Sequence, residues 1–402
     1  MRRKDIAMNT SSIFTEDIKT EKPEIQIQGR LITDAPILKP EENQAAWERG
    51  KQFADEIEAR YITDFEKPET DKMVHVSTFL ECSGILFMTY YANTHAAEED
   101  PGHQTARLVF CPTEHPERKT FLDIQSVGDD CAGQRVNLVY DTILARKDEN
   151  TLMILWTAKI GDTYYRLYRP FDLTTKTLGA VGVNRFRVGK VTNDFSTTGI
   201  IRALTENGIG YKTMYSDIGI MQKFTTRTEH GECFYYTGAY SGDFNCIIKS
   251  RDFITWEYVA APDFPNLSKW ENAVFVQNDI CYYFVRQHDE TPFGFLCTYH
   301  LDRGTWSSPV LVSDCQSRSD FIQYDGQLYL FHAPIDRTHI GVLRIDPNDL
   351  QNSKPILCAK MHTSCFYPFV QYLCDGTLAM SYTVDRQHIR MARFDFSKYI
   401  GA

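Results

Sequence analysis

The sequence predicts an all-β fold, a six-bladed β-propeller, on three observations: an aromatic-rich composition, a hairpin turn that recurs six times, and apolar segments beside each turn. Of the 402 residues, 43% are hydrophobic and 13% are aromatic. Such a composition favours strands over helices. A chain of this length often forms several domains, but a ring of sheets can grow by adding blades and remain one domain.

The recurring turn is the main evidence for the ring. Pairs such as Asp-Gly and Ser-Gly supply the positive φ that two-residue hairpins require. The last three intervals between turns are 48, 47 and 50 residues, close to the length of one four-stranded blade. The earlier intervals of 66 and 81 residues predict insertions, and five or seven blades remain alternatives. The six turns are Ser83-Gly84, Glu149-Asn150, His230-Gly231, Asn278-Asp279, Asp325-Gly326 and Asp375-Gly376.

Several segments fall outside the repeat. The spacing of apolar residues over 41–62 predicts an amphipathic helix, and the alternation in 24–28 predicts a strand that closes the ring beside the last repeat. We expect 1–23 to be a flexible N-terminus, 24–72 to hold the closing strand and helix, and 73–402 to form the propeller. Residues 191–216 are predicted as an insertion over the ring face with a hairpin turn at 205–208, or as a degenerate seventh blade.

Charge and composition exclude several classes of partner. The net charge of −10 argues against a nucleic-acid partner. No apolar run of about 18 residues is present to span a membrane, and no apolar stretch follows the basic N-terminus as in a secretory signal. The eleven cysteines show no C-x-x-C spacing, which predicts reduced thiols in a cytoplasmic protein. The sequence indicates no metal or other cofactor and leaves the oligomeric state open.

The ring geometry predicts a polar pocket at its axis. In a propeller, the start of the first strand and the end of the second strand of each blade converge there. Most residues at these positions can form hydrogen bonds or are aromatic, which suits a polyhydroxylated, anionic ligand. The loop from Glu98 to Gln104 could fold over this pocket.

The candidate site residues come from these converging positions. Trp156 could equally pack between sheets, and Asp141 and Asp320 could cap turns. The candidate catalytic residues are Glu271, Asp141, Asp320 and His75. The candidate substrate-binding residues are Arg286, Arg318, His332, Tyr240, Trp156, Gln222, His362 and Tyr367.

The segment from Ser250 to Trp256 resembles the Asp-box of sialidase-type propellers, also known as the bacterial neuraminidase repeat. In that motif a Ser, an Asp and a Trp brace a turn between outer strands; here Ile254 stands where the family has Gly. Weaker matches occur at 302–306 and 171–173. The resemblance implies a carbohydrate-active β-propeller. The chain departs from it at Val74-His75-Val76, where sialidases carry an Arg of a three-arginine clamp, and where arabinanase- and invertase-like propellers carry a catalytic Asp.

Three functions fit these residues. A glycoside hydrolase acting on short oligosaccharides needs two carboxyl groups roughly 5 to 9 Å apart, and Glu271 is the preferred acid or base. A lyase acting on uronate-containing sugars would use His75 or Tyr367 as base, with Arg286 or Arg318 stabilising the developing charge; a central His among Tyr and Arg resembles the propeller-type polysaccharide lyases. A non-catalytic glycan-binding propeller is the third, since a fold does not fix a function. We prefer the hydrolase.

Overall fold

The computed structural model describes residues 43–400, apart from 212–213, 215–217, 263–267, 288–292, 314, 316, 336 and 362–363. The predicted flexible N-terminus and the closing strand predicted at 24–28 lie outside the described residues. The position beside the last sheet is instead filled by β1 (Tyr61–Asp64), which pairs antiparallel with the last strand of the chain.

Helix α1 (Gln44–Ala59) precedes β1 and lies within the range 41–62 predicted for an amphipathic helix. It begins at Asn43, whose side chain accepts a hydrogen bond from the backbone N–H of Ala46. Its apolar face is buried against the strand Lys354–Lys360. A Cβ at Gly50 would lie 1.8 Å from the carbonyl oxygen of Cys358, so this close approach requires glycine.

The described strands form six sheets, in which most strands that follow one another along the chain pair antiparallel. The first sheet contains β2 (Met73–Cys82), β3 (Ile85–Asn93), β4 (Gln104–Pro112) and β5 (Thr120–Ser126). The second contains β6 (Asp130–Cys131), β7 (Gln134–Arg146), β8 (Thr151–Ile160), β9 (Thr163–Asp172), β10 (Thr177–Leu178) and β11 (Gly182–Val183). The third contains β12 (Arg185–Val188), β13 (Val191–Asp194), β14 (Ile218–Ile220), β15 (Thr225–Glu229), β16 (Glu232–Ser241), β17 (Phe244–Ser250) and β18 (Thr255–Ala260).

The other three sheets have five, four and four strands. The fourth contains β19 (Ser268–Gln277), β20 (Ile280–Gln287), β21 (Phe293–His300), β22 (Thr305–Trp306) and β23 (Val310–Ser313). The fifth contains β24 (Asp320–Tyr324), β25 (Gln327–His332), β26 (His339–Arg344) and β27 (Lys354–Lys360). The sixth contains β28 (Phe366–Tyr372), β29 (Leu378–Val384), β30 (His388–Phe394) and β1. Short 3-10 helices lie at Pro101–His103, Leu350–Asn352 and Phe396–Lys398.

Buried apolar clusters join each sheet to the next. Phe87 packs with Phe171 between the first and second sheets, with ring centroids 5.9 Å apart, and an equivalent cluster fills each later gap. Phe369 of the sixth sheet packs with Phe79 of the first, so the ring is closed. Sheets covered on both faces explain the nearly continuous apolar strands. The predicted all-β propeller is therefore confirmed.

Residues 191–216 differ from the prediction. Residues 205–208 form no hairpin turn; they lie at the end of helix α2 (Thr197–Glu206), which begins at the N-cap Ser196. The helix buries Ile200, Ile201 and Leu204, which recur at helical spacing. This spacing predicts a helix, whereas the prediction followed the turn-forming residues. The hairpin of β12 and β13 joins the outer edge of the third sheet through a parallel pairing of β12 with β18, so it forms no separate blade.

The turn between β17 and β18 has the geometry that its resemblance to an Asp-box implies. The Ser250 hydroxyl accepts a hydrogen bond from the N–H of Phe253 at 2.9 Å. The Asp252 carboxylate accepts from the N–H groups of Ile254 and Thr255 at 2.8 and 2.9 Å. Trp256 is fully buried. The motif therefore braces the sheet and lies away from the ring axis.

None of the eleven cysteines forms a disulfide. Within the described part of the chain, neither helix has the length and apolar character that crossing a membrane requires.

Candidate active site

A cavity of about 310 Å³ opens at the ring axis. Strands of five sheets and two loops beside the fifth sheet contribute side chains to its wall, and most of these side chains are charged or phenolic. Its lining residues are Val76, Tyr91, Glu99, Pro101, Tyr140, Asp141, Tyr240, Glu271, Arg286, Arg318, Arg337, Tyr367 and Arg386.

Bulges in the innermost strands direct side chains into this cavity. The strand pairing shifts within β2 and β7 and at the start of β28, and at each shift one residue has positive φ: Val76, Asp141 and Tyr367. A bulge bends its strand and re-aims the side chain it carries. The bulged residue of each of these three strands therefore faces the axis. It is the aliphatic Val76 in the first sheet, the carboxylate Asp141 in the second and the phenol Tyr367 in the sixth.

Glu271 and Tyr367 form the central contact of the cavity. The Tyr367 hydroxyl donates a hydrogen bond to Glu271 Oε1 at 2.6 Å. The other carboxylate oxygen, Oε2, lies 2.6 Å from Arg286 Nη1. Burial would raise the pKa of Glu271, but Arg286, Arg318 and the bond from Tyr367 outweigh it and hold the pKa below its usual value. Burial and the Glu271 carboxylate raise the pKa of Tyr367 to about 12. At neutral pH the pair is a carboxylate beside an un-ionised phenol.

Arg318 joins the two carboxylates at the base of the site. Its Nη2 lies 2.6 Å from Asp141 Oδ1 and 3.6 Å from Glu271 Oε1. Its Nη1 donates to Gln222 at 3.0 Å. Arg166 contacts the other Asp141 oxygen at 3.4 Å. These groups are all buried, so the base of the site is a fixed network of matched charges.

Two further guanidinium groups, Arg337 and Arg386, flank the Phe366 ring, each 5.3 Å from its centroid. Among the described residues, Arg337 has no carboxylate within ion-pair distance. Burial lowers the pKa of Arg337, and the cations Arg286 and Arg386 lower it further. Arg337 is partly buried, and a partly desolvated cation in this setting favours an anion beside it.

The loop between β3 and β4 forms one wall, in agreement with the expectation that it folds over the pocket. Glu99 Oε1 accepts a hydrogen bond from the Tyr91 hydroxyl at 2.7 Å, and Oε2 lies 3.5 Å from Arg386. The Glu99 side chain is about one-third exposed, so this carboxylate lies at the rim.

The structure brings half of the predicted site residues into one cavity. Gln222 lies behind Arg318, and His75 is buried beside Tyr367 with ring centroids 4.5 Å apart. His75 Nδ1 is 3.2 Å from the Thr383 hydroxyl, and the ring does not line the cavity. Burial and the site's arginines hold the pKa of His75 well below its usual value, so the imidazole is neutral. The predicted residues that line the cavity are Glu271, Asp141, Arg286, Arg318, Tyr240 and Tyr367.

Three predicted residues lie elsewhere. Asp320 accepts from the N–H of Val370 at 2.8 Å and lies 3.1 Å from the Lys223 ammonium, and burial raises its pKa to about 6. Trp156 donates to Gln125 at 2.7 Å inside the cluster between the first two sheets, so the alternative of packing was right. His332 Nδ1 lies 3.4 Å from the Cys315 sulfur.

The Asp320 side chain contacts Lys223 from the third sheet and Val370 from the sixth, so it does not lie in a gap between neighbouring sheets. Strand alternation explains the other two corrections, those of Trp156 and His332. Successive side chains of a strand point to opposite faces, so a residue next to a converging position turns into the gap between sheets. His362 lies outside the described residues.

Arg337 and Glu99 escaped the sequence analysis because both lie on loops. Their positions carry no strand periodicity, and only the ring closure brings them to the axis. Tyr140, next to the selected Asp141, also lines the cavity.

No protein-family model and no curated protein sequence matches the chain. Solved structures do match its fold. The NanB sialidase of Streptococcus pneumoniae matches with a TM-score of 0.53 at 8% identity, over 84% of this chain and 70% of that one. The sialidase of Trypanosoma rangeli in complex with sialic acid matches with a TM-score of 0.52 at 14% identity, over 83% of this chain and 57% of that one.

A GH93 α-L-arabinofuranosidase of Fusarium graminearum, in complex with arabinobiose, matches with a TM-score of 0.50 at 10% identity, over 85% of this chain and 99% of that one. At these identities the likeness concerns the fold alone. The chain has the sialidase-type β-propeller fold.

Proposed function

We propose that this protein is a glycoside hydrolase that acts on glycosides of carboxylated sugars, with the axial cavity as its active site and each of the six sheets as one blade. The observation that carries the proposal is the hydrogen bond from Tyr367 to Glu271 inside a cavity that also holds four guanidinium groups. Glycosidases usually employ two carboxyl groups, but those that cleave sialic acid glycosides employ a tyrosine nucleophile.

In the first step the Tyr367 oxygen attacks the anomeric carbon while Glu271 accepts the phenolic proton. The bond to the aglycone breaks as a covalent glycosyl-tyrosine forms, and the leaving oxygen takes a proton from an acid. Because the pKa of Tyr367 is about 12, the proton must leave during the attack, and a base already in contact makes that possible. Water then releases the sugar by the reverse proton transfers.

A neutral phenol suits a carboxylated substrate better than a carboxylate nucleophile would, because two anions would otherwise meet at the reacting carbon. The cation count supports the same substrate class. The cavity wall holds four guanidinium groups against three carboxylates, those of Asp141, Glu271 and Glu99. Arg337 is the cation without a described carboxylate partner. A substrate carboxylate beside Arg337 and Arg386 would form charge-assisted hydrogen bonds with them and make the number of carboxylates equal to the number of guanidinium groups.

Glu99 is our candidate for the acid that protonates the leaving oxygen. It lies at the rim with an accessible carboxyl group, on the side from which an aglycone would extend into solvent. Asp141 is held deep in the cavity by Arg318 and Arg166, which assigns it to binding the sugar or supporting the network.

The test is a panel of aryl glycosides of carboxylated and neutral sugars, with release of the aryl alcohol as the signal. We expect turnover only with carboxylated sugars, and a loss of about a hundredfold or more in kcat/KM for Tyr367→Phe and Glu271→Gln. The matched control is Tyr236→Phe, which removes a hydroxyl bonded to Glu229 in the third sheet, away from the cavity.

Other results would overturn the proposal. A product with a new ultraviolet-absorbing double bond would identify the lyase instead. Binding of an acidic sugar without turnover of any glycoside would identify a glycan-binding propeller. Equal losses for Tyr367→Phe and Tyr236→Phe would mean that the Tyr367 effect reports folding and not chemistry.

A further inference from the structure

The loop between β3 and β4 carries two histidines and an aspartate whose ligand atoms meet at one point. His95 Nδ1 lies 2.9 Å and His103 Nδ1 lies 2.8 Å from the same oxygen, Oδ2 of Asp100. The two imidazole rings are stacked, with centroids 4.2 Å apart and planes 14° apart. Both histidine side chains are more than half exposed, so a solute can reach them.

We propose that His95, Asp100 and His103 form a binding site for a divalent transition metal ion of the zinc class. Two imidazoles and one carboxylate are a ligand set that zinc accepts, with a fourth position left to water. At metal–ligand distances near 2.1 Å, tetrahedral ligand atoms are about 3.4 Å apart. The donor atoms need to separate by only about half an ångström for an ion to enter. The sequence analysis predicted no metal, because the three residues lie in a loop without a familiar spacing.

The backbone of the loop already holds these ligands in place. The buried Asn93 side chain accepts hydrogen bonds from the N–H groups of His95 and Ala96 and donates to the carbonyl of Glu98. The turn Pro101–His103 places His103 one turn after Asp100, with a backbone bond between them of 3.0 Å. A site that is built before the ion arrives loses little conformational entropy on binding it.

Charge around the site also favours a cation. The carboxylates of Glu98 and Glu99 precede Asp100 directly in the chain. Lys72, whose ammonium lies 3.4 Å from the carbonyl of His95, offsets part of this charge. A second group of potential ligands, Asp64, Glu66 and His388, lies on the sixth sheet. It has one imidazole instead of two, so we expect it to bind a zinc-class ion more weakly.

The metal site would fix the wall of the candidate active site. Asp100 is the neighbour of Glu99, whose carboxylate lies at the rim beside Arg386. An ion that ties His95 to His103 would hold this segment in its observed position and thereby keep Glu99 over the cavity. This consequence rests on the proposed function, whereas binding of the ion does not.

The test is calorimetric titration of the chelator-treated full chain with Zn²⁺, in the absence of any sugar. We expect one high-affinity equivalent, weakened about tenfold or more by His95→Ala and by His103→Ala. Mg²⁺, which prefers oxygen ligands, should not compete. The controls are His115→Ala, which removes another exposed histidine paired with a carboxylate, and His388→Ala, which removes the imidazole of the second group. Both controls should bind Zn²⁺ like the unsubstituted chain.

Copper(II) supplies an independent signal, since its electron paramagnetic resonance spectrum should show coupling to two imidazole nitrogens, falling to one in either histidine variant. Absence of a zinc equivalent, equal affinities across all variants, or loss of binding in His388→Ala would each overturn the proposal. Because the substituted side chains are exposed, the melting temperature of each variant should equal that of the unsubstituted chain. Binding is read without substrate, so failure of the metal site is distinguishable from failure of the glycosidase.

Discussion

Replacing Arg318 with methionine should destabilise the protein strongly, because this guanidinium neutralises two buried carboxylates. Arg318 is 2% exposed and contacts Asp141 at 2.6 Å, Gln222 at 3.0 Å and Glu271 at 3.6 Å. Methionine keeps much of the volume but leaves each carboxylate with a single remaining guanidinium. Removing one partner of a buried ion pair costs about 3–5 kcal/mol, a large share of the roughly 5–15 kcal/mol that stabilises a typical protein.

Urea unfolding at neutral pH measures this loss as a lower midpoint with an unchanged slope. The control is Arg202→Met, which removes an exposed pair with Glu206 and should change the unfolding free energy by less than about 1 kcal/mol.

A double-mutant cycle refines the test. Asp141→Asn removes one of the charges that Arg318 neutralises. The unfolding free energy of the double variant should therefore fall by about 1–3 kcal/mol less than the sum of the decreases in the two single variants. A cost for Arg318→Met below about 1 kcal/mol, or strict additivity, would refute the view that the base of the site is a coupled network.

Two further predictions follow from the pKa directions. In the proposed mechanism Glu271 must be ionised to accept the phenolic proton. Its pKa lies below its usual value, so the acidic limb of kcat/KM should lie below the ordinary glutamate pKa of about 4.3. An acidic limb centred above about pH 5 would contradict this. Burial would raise the pKa of Glu56, but hydrogen bonds from Tyr399, Arg60 and the Asp395 backbone outweigh it and lower that pKa to about 2. Its carboxylate therefore stabilises the fold above the unfolded pKa, and that contribution disappears as the pH falls through about 2. Glu56→Gln should lower the unfolding free energy, measured with urea, by at most about 3 kcal/mol at pH 7. The difference from the unsubstituted chain should shrink between about pH 4.5 and 2. A difference that stays constant with pH would refute this prediction.

The architecture was predictable because its signals are local. Each hairpin turn is specified by two residues, and His230-Gly231 and Asp325-Gly326 adopt the positive φ values that the prediction required. Apolar runs on both faces of a strand are equally local. Helix α2 was missed where two local signals competed, since the turn-forming pair Asn207-Gly208 ends a helix and does not connect two strands.

The site was predictable only in part, because it depends on contacts between distant blades. Glu271 and Tyr367 were each selected from strand positions, but they are 96 residues apart, and only the closed ring shows that they are joined by a hydrogen bond. His332 was misplaced because alternate side chains of a strand point to opposite faces, whereas the Asp320 carboxylate pairs with Lys223 outside the cavity. Arg337 and Glu99 lie on loops, where the path of the chain is set by tertiary packing and not by any repeating pattern.

Covalent trapping of the nucleophile tests the central claim most directly. A fluorine-substituted, activated glycoside of a carboxylated sugar should slow the second step and allow the glycosyl-enzyme to accumulate. Peptide mass spectrometry should then find the sugar on Tyr367 in the unsubstituted chain and in Tyr236→Phe, and no adduct in Tyr367→Phe. Attachment to Glu271 or Asp141, or turnover by Tyr367→Phe at the unsubstituted rate, would contradict the account.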